Sequence, residues 1–229
     1  MAAPTPVSAL LHAATMITAG IFTLFRFWFI IIWHTICSIG CFTSMFGAVV
    51  ACTQSDMKKV IAYSTTSQLG ILCWSCGIAN YFGALFHLLV HAFFKSLLFL
   101  TAGGYLHSEL TIYKLGGFTT NLPLSYSYIL ICVVSLIGWP KLSGSFSKSN
   151  ILSSSYYGWS DLFSYYLSTL AIHVTVYYSS KLIISQFVKP LITICNTYCK
   201  TLLLLAKLCL FVAFIFDLDY FYESIFHFS

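Results

Sequence analysis

From Val60 to Phe94 the chain runs 35 residues without a single Asp, Glu, Lys or Arg. A membrane-crossing helix needs about 20 mostly apolar residues. The run is therefore too long for one span and too greasy for a water-facing surface. It has to fold back on itself, and GIANYFG (77–83) holds the glycines and asparagine that a turn needs. This predicts one helix near 60–77 and another near 82–106. The second carries HLLVHAFFKSLLFL (87–100), in which His87, His91 and Lys95 stand at i, i+4 and i+8. On a helix that spacing sets all three on one face, spread over roughly 12 Å of axis. Ionisable groups inside a membrane are expensive to bury, so a file of three is a functional hypothesis in itself.

The same economy of charge extends along the whole chain. Only 7% of the residues are charged and 59% are hydrophobic, where a soluble domain has roughly 25% charged. The expected fold is all-α, a polytopic transmembrane bundle of about seven helices forming a single membrane domain over residues 1–229. Residues 5–25 make the first helix, opened by Pro4 and Pro6 and closed by Arg26. Residues 28–52 make the second, and the polar loop TQSDMKK (53–59) follows. After the pair at 60–106 comes a loop with Glu109, Lys114, Gly116 and Gly117. The fifth element, from about 122, contains GWPKLSGSFSKSN (138–150). Gly138, Pro140 and Gly144 should break it in mid-membrane, since proline lacks a donor and clashes with the preceding turn. Backbone broken at that depth is tolerated only where protein or a hydrated cavity satisfies it, a device common in transporters. Lys148 lies just past the break. Further helices are expected near 161–187, with His173, and near 200–217.

Charge gives an orientation. With seven spans, Lys58, Lys59, Lys114, Lys189 and Lys200 fall on the same side as the N-terminus. Arg26, Asp161 and the acidic tail with Asp217, Asp219 and Glu223 fall on the other. Basic residues stay on the matrix or cytoplasmic side, which puts the N-terminus there. The scattered basic residues argue against nucleic acid as a partner and fit a chain surrounded by membrane lipids.

His12 stands about two turns into the first helix. His87 and His91, at i and i+4, would also suit zinc, but no acidic residue lies nearby in sequence to complete a site. Lys95 in the same row favours proton transfer over metal. Burial disfavours the charged forms of Lys and His. Two charges about 6 Å apart repel by roughly 2–3 kcal/mol at an effective dielectric near 20, so one proton on the file displaces another. Lys141 could instead snorkel to an interface. His34, His107, His173 and His227 read as structural or interfacial. Seven of the nine cysteines, Cys37, Cys41, Cys52, Cys73, Cys76, Cys132 and Cys209, lie in apolar runs and read as small hydrophobes. Cys73 and Cys76 form a lone CxxC without a second pair. No GxGxxG, P-loop or cluster-binding cysteine array is present, so no cofactor or metal is expected.

Four stretches, PTPVSALLHAATMITAG (4–20), TQSDMKKVIAYSTTSQLG (53–70), HLLVHAFFKSLLFLTAG (87–103) and GWPKLSGSFSKSNIL (138–152), closely resemble the chain 5 family of NADH–ubiquinone oxidoreductase, the antiporter-like proton-pumping subunits of respiratory complex I. The likeness runs from Pro4 to about Lys189. It implies that this chain corresponds to helices 8–14 of that fold and lies in the mitochondrial inner membrane, with helix 8 starting on the matrix side. It also implies roles: His12 as the helix-8 histidine of the central hydrophilic axis, His87, His91 and Lys95 as the helix-11 row, and Lys148 as the helix-12 lysine facing the exit half-channel. Two positions depart from the family. Ser149 stands where an acidic residue is usual, and Lys141 follows the proline where the family is uncharged.

The related large subunits of multisubunit sodium/proton antiporters are the alternative reading. They usually read KAG where this chain has Thr18-Ala19-Gly20, and SALG where it has Ser67-Gln68-Leu69-Gly70. A scaffold with a dead channel is a third possibility. The family also has seven earlier helices with a glutamate and a lysine of the input half-channel, and nothing here supplies them. The expectation is a split subunit: a separate polypeptide like the N-terminal half of chain 5 should pack against the first, fourth and fifth helices, beside other membrane-arm subunits such as chain 4.

Overall fold

A computed structural model describes residues 7, 15–27, 33–106, 123–157 and 162–187. The chain divides into two compact units, residues 1–189 and 190–229, and all described residues belong to the first. Seven helices are described: α1 (Met16–Arg26), α2 (Trp33–Thr53), α3 (Met57–Gly77), α4 (Tyr81–Leu106), α5 (Pro123–Ile137), α6 (Ser143–Tyr157) and α7 (Leu162–Phe187). They form a helical membrane bundle. His34–Thr53, Tyr81–Gly103 and Leu162–Ser185 are long and apolar enough to cross a membrane by length and composition. The helix expected near 200–217 and the loop at 107–121 lie outside the described residues.

The 35-residue uncharged run does fold back. α3 ends at Gly77, and Ile78, Ala79 and Asn80 make the turn, with Ala79 in the left-handed region (φ 66°). The Asn80 side chain accepts the Gly83 N–H at 2.9 Å and so caps α4. It also reaches across to α6, donating to the Ser154 hydroxyl at 2.6 Å. α3 starts three residues earlier than the uncharged run, because Met57 is buried and the Asp56 carbonyl accepts the Val60 N–H. Asp56 also pairs with Lys59 at 2.8 Å.

α3 is the centre of the bundle, touched by α1, α2, α4 and α7. This explains its unusual composition. Ser64, Thr65, Ser67, Gln68 and Ser75 are all buried in it. A helix facing lipid could not carry so many polar groups, but one encircled by neighbours can. Ser64 and Thr65 donate back to the Ile61 and Ala62 carbonyls, as hydroxyls on buried helices do.

α2 lies closest to α3, and small residues make that possible. A Cβ on Gly40 would stand 2.9 Å from the Gly70 carbonyl oxygen. One on Gly47 would stand 2.7 Å from the Ser67 nitrogen, and one on Gly70 2.6 Å from Ser44 Cα. Interfaces of this small-residue type let membrane helices gain van der Waals contact that lipid cannot replace.

The fifth sequence element is broken where expected. α5 and α6 are 15 residues each, separated by Gly138 (φ 92°), Trp139, Pro140, Lys141 (φ 71°) and Leu142. Gly138 needs its left-handed φ to turn the chain out of α5. Gly144 is needed for another reason: a Cβ there would overlap the Ser135 carbonyl oxygen, so only glycine lets α6 start against α5. Lys141 is exposed in the break. α7 packs along α2, α3 and α5, and its Lys181 ammonium donates to the carbonyls of Cys52 (3.0 Å) and Gln54 (2.8 Å). Those groups end α2, where a cation is favoured by unsatisfied carbonyls.

Candidate functional site: a buried row of bases between α3, α4 and α6

His87, His91, Lys95 and Lys148 are all buried, the first three at 0–1% exposure and Lys148 at 4%. α4 brings the first three into one row, as its spacing predicts. The His87 and His91 ring centroids are 6.3 Å apart, and His91 meets Phe94 edge-on at 5.3 Å. α6, the second half of the broken helix, brings in Lys148. His12, the remaining expected member, lies outside the described residues.

Each base except His91 has a polar partner from another helix. Lys95 Nζ donates to Ser64 Oγ on α3 at 2.5 Å. Because Ser64 spends its own hydrogen on the Ile61 carbonyl, its lone pairs face the lysine. Lys148 Nζ donates to the Leu136 carbonyl of α5 at 2.5 Å. The sequence explains why that carbonyl is available: in an unbroken helix it would accept from the residue four positions later, which is Pro140 and has no N–H. The proline thus both breaks the helix and provides the acceptor that holds Lys148. His87 Nδ1 lies 2.8 Å from Ser147 Oγ on α6, and Nε2 lies 3.3 Å from Gln68 Oε1 on α3. Neither ring nitrogen of His91 has a hydrogen-bond partner among the described residues.

None of the four is held by a carboxylate among the described residues. The single acidic side chain among the described residues, Asp56, pairs with Lys59. Hydroxyl and carbonyl oxygens are weaker partners than a carboxylate, so each base remains free to be neutral or charged. Such a row can hand protons along, and two adjacent charges in it repel. No group of three or more His, Cys, Asp or Glu side chains suited to a metal occurs among the described residues, and the described cysteines form no disulfide with one another.

Sequence reasoning found the bases but missed their partners. Ser64, Gln68, Ser147 and the Leu136 carbonyl all come from other helices. One was readable in advance, since counting four back from Pro140 gives Leu136. A polar Gln68 inside an otherwise uncharged span was a second signal. Tyr178, fully buried on α7, lies within electrostatic reach of Gln68 and Ser67 and had no such signal. Ser149 is exposed and Lys141 is exposed, so neither departure from the family pattern falls inside the row.

Residues 1–175 match the family described as NADH:quinone oxidoreductase/Mrp antiporter, TM. NADH-ubiquinone oxidoreductase chain 5 of Dictyostelium citrinum is 44% identical over 197 residues, covering 82% of this chain. The chain spans 30% of that relative's length. Among solved structures, a chain of the Mrp complex from Dietzia sp. DQ12-45-1b superposes with a TM-score of 0.74 at 18% identity, covering 80% of this chain and 36% of that one. A chain of respiratory complex I from Thermus thermophilus superposes at 0.60 and 21% identity, covering 68% of this chain and 36% of that one. Both structural likenesses speak to fold. On the extent of the family match, with the broken helix and the row it shelters, this chain belongs to the NADH:quinone oxidoreductase/Mrp antiporter transmembrane family.

Proposed function

We propose that this chain is a proton-translocating part of the membrane arm of respiratory complex I, residing in the mitochondrial inner membrane with its N-terminus on the matrix side. The observation that carries the reading is the row itself: His87, His91, Lys95 and Lys148 are all buried, and none is neutralised by a carboxylate among the described residues. Permanent burial of such groups costs several kcal/mol unless they can shed their charge, so their presence argues for traffic in protons. The likeness to chain 5 proteins and the Gln68 at a position where antiporters usually carry alanine favour complex I. Redox chemistry then belongs to other subunits, and this chain couples to it mechanically or electrostatically.

The reading implies partners. α4 turns Phe82, Phe86, Leu89, Phe93, Leu97 and Leu100 outward, a surface suited to lipid or to another apolar helix. A segment like the N-terminal half of chain 5 supplies the input glutamate and lysine against α1, α4 and the broken helix α5–α6, and other membrane-arm subunits such as chain 4 adjoin it. The test is to isolate the native complex that contains this chain and reconstitute it in liposomes. NADH-driven, quinone-dependent proton uptake without sodium is the expected result. Sodium-dependent proton exchange without NADH would replace this reading with the antiporter one, and a complex with neither activity would leave a scaffold.

A further inference from the structure

Lys141 is the cation that the buried row does not use. It stands exposed in the break between α5 and α6, and its ammonium has no hydrogen bond or ion pair among the described residues. Its backbone sits in the left-handed region at φ 71°, where glycine or asparagine is at ease and lysine is not. The turn itself gives no reason for a lysine. The reason has to lie in what the side chain meets.

Its depth follows from the contacts of α4 with α6. Asn80 meets Ser154 and, seven residues further along α4, His87 meets Ser147, seven residues earlier on α6. The two helices thus run antiparallel in step. Continued past Ser147, the same register sets the break beside the middle of the span Tyr81–Gly103. That level is roughly 15 Å from either edge of the hydrocarbon, too deep for a lysine to reach an interface. The surface beside it is also unlike a lipid-facing one. The exposed described side chains of α4 are all Phe or Leu, whereas those of α6 are Ser143, Phe146, Ser149, Asn150 and Ser153. Ser149 and Ser153 return their hydroxyls to their own helix and so tolerate lipid. An ammonium left bare at that depth does not.

This chain has no carboxylate inside an apolar run to pair with it. Asp56 is paired with Lys59. In sequence, Glu109 follows the end of α4 at Leu106, and Asp161 precedes the start of α7 at Leu162. The break is separated from those connections by α5 and α6, 15 residues each, or about 22 Å of helix. Asp217, Asp219 and Glu223 follow the apolar run 201–216.

We propose that the face of α6 beginning at Lys141 is a docking surface for a membrane helix from outside this 229-residue chain, and that this helix sets an Asp or Glu against the Lys141 ammonium. Charges at membrane depth are kept by pairing with one another, and the small side chains of Ser143, Ser149 and Ser153 let a helix approach beside the pair. The inference rests on the membrane-arm assembly proposed above and is independent of proton transfer. Lys141 anchors the neighbour, and no proton passes through it.

The test treats the native complex with a membrane-soluble carbodiimide, which joins an amine to a touching carboxylate as an amide while the reagent takes up the water. Mass spectrometry should find Lys141 joined to an Asp or Glu in an apolar segment that is not part of residues 1–229. Lys141→Glu should lower the yield of assembled complex roughly tenfold or more, because it sets two carboxylates face to face. Exchanging the identified carboxylate for lysine in the same background should restore the yield, and Lys141→Arg should assemble normally. Absence of the cross-link, a cross-link to this chain's own Asp217, Asp219 or Glu223, or full assembly of Lys141→Glu would each overturn the proposal. Native electrophoresis separates the two levels. If the unaltered chain migrates alone, the membrane-arm reading falls and the docking with it; if it migrates in a complex that Lys141→Glu leaves intact, the docking alone is wrong.

Discussion

Replacing Lys148 with methionine is expected to slow the proton step that passes through α6 by roughly a hundredfold or more, the usual worth of a positioned acid–base group, while the complex still assembles. Methionine keeps the length of the side chain and fills the same buried space. What it removes is the ammonium that donates to the Leu136 carbonyl. That carbonyl then loses a partner it owes to Pro140, at a cost of about 1–3 kcal/mol, a loss a bundle of this size should survive. Native electrophoresis checks assembly, and proton uptake driven by NADH checks function. Wild-type pumping in an assembled Lys148→Met complex would remove Lys148 from the path.

The second large effect is structural. Gly70→Leu should prevent the chain from accumulating in the membrane. A Cβ at Gly70 already falls within 2.6 Å of Ser44 Cα and 2.8 Å of the Gly40 carbonyl oxygen, and both are backbone atoms that cannot swing aside. The two helices would have to part along their whole contact, costing upwards of about 3 kcal/mol and opening the packing around α3. Gly20→Leu is the control, because nothing lies within 4 Å of a Cβ built there and the position is exposed. Immunoblots of membrane fractions should show normal levels for Gly20→Leu and little chain for Gly70→Leu. Equal levels would mean that the α2–α3 approach is not essential to the fold.

How far the sequence could be read depended on whether the signal was local. The fold-back at 77–83 was legible because a 35-residue run without charge has only one way to fit a bilayer. The break was legible because Gly138, Pro140 and Gly144 each oppose a continuous helix by separate mechanisms. The row of His87, His91 and Lys95 was legible because one helix supplies all three at fixed spacing. Contacts between helices were not. Nothing in the neighbourhood of Ser64 marks it as the acceptor for Lys95, 31 residues away, and Asn80 gives no sign that it bridges to Ser154. α3 was legible as a span but not as the centre. Its Ser64, Ser67 and Gln68 look like a weakening of hydrophobicity until the surrounding helices explain them. One helix start also moved: the third begins at Met57 rather than 60, where Met57 is buried.

On the proposed reading, the buried row carries protons and does not merely fill the bundle. Lys95 tests it most directly, because it is fully buried, its ammonium donates to the Ser64 hydroxyl, and it closes the α4 row. The measurement is the number of protons moved per NADH oxidised by the assembled complex with Lys95→Met. A yield clearly below that of the unaltered complex is the predicted result. An unchanged yield, with assembly and NADH oxidation intact, would show that the row does not carry the pumped protons.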